Sequence, residues 1–186
     1  MKTKILSLFL GVFTITLTSC ETENNSEQST ASRQIAPVAN SVNVSQLSPC
    51  AYTELIADQR YDAGDIKVYF DADNVYVEYQ ASIRWLIRET HLFVGKQSMI
   101  PLTRNGSPNP SLYPISETFP GGTEAAIYSF PRAGLPKCFT ISAYAEVNRL
   151  QNGSIVQTES AWSEGVRFNE NSWGMFFDVC QSDCSN

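Results

Sequence analysis

Residues 65–80, DIKVYFDADNVYVEYQ, decide the fold. Ile66, Val68 and Phe70 recur at every second position, and so do Val75, Val77 and Tyr79. A period of two puts each trio on one face of an extended strand. Between the trios lies DADN (71–74). Asp and Asn side chains accept hydrogen bonds from their own backbone and tolerate tight turns, so the segment predicts a β-hairpin. The alternation continues outward. SIRWLIRETHLFVG (82–95) holds a strand or two closed by Gly95, and EAAIYSF (124–130) and CFTISAYAEV (138–147) follow. A turn at Asn152-Gly153 leads to SIVQTES (154–160), and WGMFFDV (173–179) completes the set. No segment carries a helical stripe of useful length. Seven or eight short strands separated by turn signals predict an all-β chain, a single antiparallel β-sandwich of immunoglobulin-like or jelly-roll topology.

One interval breaks the period. Residues 96–123, KQSMIPLTRNGSPNPSLYPISETFPGGT, carry five prolines and three glycines and read as a long loop. Loops of this length inside a domain are uncommon and often functional, and proline restricts their free conformations. Residues 160–172 read as a second loop, in which Glu164 and Arg167 are placed to pair. WGMFFDV reads as a closing core strand that delivers Cys180 to a disulfide.

The chain opens MKTKILSLFLGVFTITLTSC, with Lys2 and Lys4 ahead of an apolar run too short to span a bilayer. It reads as a secretory signal, residues 1–19. Leu17-Thr18-Ser19-Cys20 resembles the lipobox of bacterial lipoproteins. The resemblance implies cleavage before Cys20, attachment of diacylglycerol and an N-acyl chain such as palmitate to it, and a chain held on a membrane without crossing it. Residues 20–48 are polar and lack aromatics, so they read as the lipidated cysteine and a flexible tether. Glu21 and Glu23 resemble the acidic export signals of Bacteroidetes-type lipoproteins. The expected location is the bacterial cell envelope, lipid-anchored at the outer membrane, on its periplasmic or surface face. Without residues 1–19 the chain keeps 11 Lys+Arg against 19 Asp+Glu, a net charge of −8. That balance argues against nucleic acid as a partner.

Residues 49–186 are the size of one domain and hold Cys50, Cys138, Cys180 and Cys184. An even count in an exported chain favours two disulfides. The preferred pairing is Cys138 with Cys180 and Cys50 with Cys184, which fastens the chain end to earlier segments. No cofactor is expected. The terminal CxxxC lacks the spacing of a zinc site.

The candidate chemistry is thin. His91, the only histidine, has no nucleophile context of the GxSxG kind and reads as a hydrogen-bonded strand residue. Glu89, Glu159 and Glu164 supply carboxylates of the type glycosidases pair, with no spacing that joins them. Asp71 and Asp73 are weak calcium candidates, because the EF-hand pattern is missing and such turns form without metal. Flat aromatic faces remain: Trp85, Trp162 and Tyr113, with Glu164 and Arg167 nearby, are the ligand-binding candidates. The sequence therefore predicts a non-catalytic envelope module that binds a glycan or a protein, or an accessory subunit of an envelope complex, before a hydrolase.

At residues 55–79, at ETHLFVG (89–95) and at ESAWSEGVRFNENSWGMFF (159–177), the chain resembles a recurrent extracellular β-domain of bacterial secreted and surface proteins. The resemblance covers most of 55–179. It departs at Ser163, where glycine is commoner, and in the tail cysteines. It implies an extracellular β-fold and transfers no catalytic residue.

Overall fold

A computed structural model describes residues 44–184. Residues 1–43, with the signal segment, Cys20 and most of the tether, lie outside the described residues. Ten strands make up the fold: β1 (Ala51–Ala57), β2 (Tyr61–Phe70), β3 (Asn74–Ala81), β4 (Trp85–Gly95), β5 (Ile115–Thr123), β6 (Ala125–Pro131), β7 (Cys138–Gln151), β8 (Ser154–Ser163), β9 (Val166–Asn169) and β10 (Ser172–Cys180). No α-helix occurs among the described residues.

All pairings are antiparallel, and the strands form one hydrogen-bonded sheet in the order β5-β4-β7-β8-β1-β2-β3-β6. The sheet curls into a nearly closed barrel. Its two ends meet through side chains: Tyr79 Oη on β3 donates to the His91 carbonyl on β4 at 3.0 Å, and Tyr128 Oη on β6 donates to Glu117 on β5 at 3.0 Å. β4 lines one edge of β7 from Thr140 to Arg149, and β8 and β10 share its other edge in succession, at 144–151 and 138–141. β9 extends β10 outward.

The hairpin of 65–80 forms as its alternation dictates. Ile66, Val68, Val75, Val77 and Tyr79 are fully buried, and Phe70 packs beside them. Each such side chain contributes about 1.5–3 kcal/mol by leaving water. Asn152 (φ 53°) and Gly153 (φ 77°) both take left-handed conformations, the geometry that twists with a two-residue hairpin between β7 and β8. The disulfides pair Cys50 with Cys184 and Cys138 with Cys180. The second joins directly opposed residues of β7 and β10.

Three readings change. Residues 115–123 are strand, not loop: β5 pairs with β4, and residues 119–122 bulge out between the Glu89–Thr118 and Ile87–Thr123 pairs. Proline there is tolerated because β5 is an edge strand and the bulge needs no ladder bond. Residues 160–172 are mostly strand as well, since β8 runs to Ser163 and β9 pairs with β10. Val44 and Leu47, expected in the tether, pack on the outer face against Tyr69 and Tyr76. These two tyrosines alternate with the core residues and need a cover on the solvent side.

Candidate functional site

A β-bulge in β4 creates the site. Between Ile87 and Glu89 the register against β7 shifts by one residue. Trp85 and Ile87 point into the barrel before the bulge, and Thr90 and Leu92 do so after it. The slip therefore carries Glu89, His91 and Phe93 to the outer face. There they meet residues of β7, β8 and β10. Tyr144 opposes both His91 and Trp162, and Glu146 opposes both Glu89 and Ser160.

These residues, with Trp173 and Met175, build a second apolar cluster outside the barrel. Phe93, Ile100, Tyr113 and Trp162 are its buried members, with Tyr144, Phe168, Trp173 and Met175 packed around them. The Pro-rich loop, residues 96–114, covers one side. Tyr113 buries its ring against Phe93 and bonds Ser142 Oγ at 2.9 Å, and Ser142 Oγ donates to the Met175 carbonyl at 3.0 Å. Trp162 stands at the centre, edge-on to Tyr144 at 5.1 Å and to Trp173 at 6.4 Å. Aromatic edges carry partial positive charge, so such pairs hold rings at fixed angles.

Above this cluster runs a groove of about 380 Å³, walled by Tyr144, Trp162 and Trp173 and rimmed by polar groups of Asn109, Ser111, Glu146 and Ser160. His91 forms part of its wall and pairs through Nε2 with Glu89 Oε1 at 2.7 Å. His91 Nδ1 is buried and has no hydrogen-bond partner. Arg88 bonds Glu146 across the strands. Burial, and after it the carboxylates of Glu146 and Glu89, push the Tyr144 phenol up from its ordinary range. Trp173 also lines a second groove of about 360 Å³ with Gln59, Arg60, Glu164 and Arg167. A third, more apolar groove of about 480 Å³ lies among Leu102, Val166, Phe168 and Phe176.

The candidates named from sequence separate accordingly. Trp162 floors the first groove but is only 5% exposed, so it shapes the surface more than it offers it. Glu164 and Arg167 line the second groove and form no ion pair with each other among the described residues. Trp85 is a core residue beside Tyr61 (6.2 Å), away from every groove described above, because it precedes the bulge. Tyr113 is a buried strut. Asp71 spends both carboxylate oxygens on its own turn, accepting from the N–H groups of Asp73 and Asn74 and from Tyr76 Oη. Burial alone would raise its pKa; those bonds outweigh it and hold the carboxyl below the usual range. No cluster of three metal-ligating side chains occurs among the described residues. Glu89 and Glu159 leave opposite faces of the sheet, since Glu159 opposes inward-facing Val147, so the three carboxylates do not converge.

Sequence reasoning missed Tyr144, Glu146, Asn109 and Ser111, and placed His91 merely in a strand. One signal was available. The buried apolar parity in β4 switches from odd positions (Trp85, Ile87) to even ones (Leu92, Val94), and only a bulge reconciles the two. Comparison of the chain with protein-family models, with curated proteins and with solved structures returns no match. The functional reading therefore rests on the grooves.

Proposed function

We propose that this chain is a lipid-anchored, non-catalytic binding module of the bacterial cell envelope, and that the groove over Tyr144, Trp162 and Trp173 takes its ligand. One observation carries the reading: three interlocked aromatic rings on the outer face, two of them partly exposed, beside side-chain hydrogen-bonding groups. Apolar ring faces with a few fixed polar groups suit a sugar ring, which offers C–H faces and equatorial hydroxyls. The rings lose little entropy on binding, because the cluster beneath already holds them. The lipobox-like Leu17–Cys20 supports the anchor, and the two disulfides fit an oxidising compartment.

A glycan array with the full-length chain tests the groove. Binding that disappears in Trp173→Ala, with the melting temperature retained, supports the reading. An array without hits, together with stoichiometric recovery of one envelope protein, supports instead an accessory subunit. The apolar groove of Leu102, Val166, Phe168 and Phe176 favours that second reading. For the anchor, palmitate labelling lost in Cys20→Ala, with release from the membrane fraction, is the expected result.

A further inference from the structure

Trp173 stands between two grooves of different chemistry, and that juxtaposition narrows the ligand. On one side are the aromatic walls already described, with Asn109, Ser111 and Ser160 as neutral hydrogen-bonding groups and a Glu146 carboxylate that is held by Arg88. On the other, Arg60 and Arg167 line one depression with Trp173. Both arginines are exposed. Arg167 projects from β9, opposite Met175, and its side chain makes no hydrogen bond or ion pair among the described residues. Arg60 holds Asp58 at 2.6 Å, but that pair is 63% and 36% exposed, and a surface pair of this kind contributes little and is readily exchanged. Its guanidinium also lies 4.7 Å over the Tyr61 ring, which fixes its direction.

We infer that the ligand is an acidic saccharide: one ring lies against Trp173, and a carboxylate on the same or the next residue is received by Arg60 and Arg167. A guanidinium presents paired N–H donors at the spacing of a carboxylate's oxygens, which a neutral hydroxyl cannot match. The chain is acidic overall, at −6, so its general field repels anions. A carboxylate is bound here by contact with these two side chains and not by attraction at long range. Glu164, on the same groove, opposes it. Its backbone is fixed by Glu164 N–H donating to the Glu54 carbonyl at 2.7 Å and by Thr53 Oγ1 donating to the Glu164 carbonyl at 3.0 Å, so it stays at the rim and restricts where the anion sits.

The inference rests on the glycan reading proposed above, and the test separates the two. The probes are uronate- and sialate-bearing oligosaccharides, each beside its carboxyl-reduced counterpart, which differs only in losing the charge. They are titrated calorimetrically into the full-length chain. Charge-assisted hydrogen bonds are strong enough that carboxyl reduction should weaken binding about ten- to hundredfold. Arg167→Gln and Arg60→Gln should each bring the acidic probe down toward its reduced form, with circular dichroism unchanged. Glu164→Gln should tighten the acidic probe a few-fold and leave the reduced one alone. Equal binding of both forms, insensitive to the arginines, overturns the acidic-ligand inference and leaves the glycan reading standing. Failure of every probe, acidic and neutral alike, overturns both.

Discussion

Gly174 on β10 and Pro108 in the Pro-rich loop touch so closely that a Cβ on Gly174 would stand 2.4 Å from the proline Cγ. The ring cannot yield as a flexible side chain does, so any larger residue must lift the loop. Asn109 and Ser111, two of the polar groups at the groove rim, lie one and three residues after that proline. Gly174→Ala is therefore expected to destabilise the protein by about 1–3 kcal/mol through overpacking. Intrinsic tryptophan emission should shift to the red as Trp173 gains water. An unshifted spectrum and an unchanged melting temperature would show that the loop docks independently of this contact.

Gln59 carries a φ of 60° and Asp58 a φ of 47° in the β1–β2 turn. Asp adopts the left-handed region readily; a long side chain such as Gln does so at a cost of about 1 kcal/mol. Gln59→Gly is expected to raise stability by about 0.5–1 kcal/mol in urea unfolding, with the midpoint rising at constant slope. The change should leave the Ala57–Arg60 turn bond (3.1 Å) in place. A drop in the midpoint would mean that the Gln59 side chain holds something in the second groove that outweighs its backbone strain.

The two disulfides differ in the chain length they close, 42 residues for Cys138–Cys180 and 134 for Cys50–Cys184. Loop-closure entropy alone assigns them about 4 and about 5 kcal/mol. Removing Cys50 and Cys184 together as serines is thus expected to lower stability more than removing Cys138 and Cys180. Cys138 and Cys180 are also opposed in the ladder between β7 and β10, whose backbone bonds do not depend on the sulfur–sulfur link. The reverse order in paired denaturation curves would place the main constraint at the barrel–β10 seam.

Where one face of a strand is core and the other is solvent, the sequence is legible. The 65–80 hairpin and the Asn152-Gly153 turn follow from local rules, whereas the cysteine pairing, across 42 and 134 residues, is a preference among three connectivities. Legibility ends where a strand has two buried faces or a bulge. In β4, Thr90 and Leu92 face the barrel while His91 and Phe93 are covered by the outer cluster, so apolarity runs continuously and hides the register. β5 was hidden for another reason. Its Pro120-Gly121-Gly122 looks like loop chemistry, and an edge strand tolerates it because half its backbone groups need no partner. The grooves were invisible because they depend on which strands lie side by side. β10 meets β7 through four residue pairs that no local pattern announces.

Alkaline pH provides the last test, because the fold buries phenols in all of its clusters. Burial pushes Tyr113 up to about 12, the larger of two opposing effects, since its hydrogen bond with Ser142 acts to lower it. Burial likewise drives Tyr128 and Tyr79 well above the ordinary 10.0, and Tyr69 is raised by burial together with its bond to Glu78. The sign follows from linkage. Above pH 10 the unfolded chain releases phenolic protons that the folded chain keeps, so rising pH favours unfolding. The stabilisation is complete below about pH 10 and is lost progressively as pH climbs to about 12 and beyond. The melting temperature should fall steeply in that window, and phenolate absorbance should rise in two stages, exposed tyrosines first and the buried ones with unfolding. Tyr113→Phe should lower stability at neutral pH, since Ser142 Oγ loses one partner, yet flatten the alkaline slope. If all eight tyrosines titrate together near pH 10 while the fold persists, water reaches the clusters and the packed outer face described here is wrong.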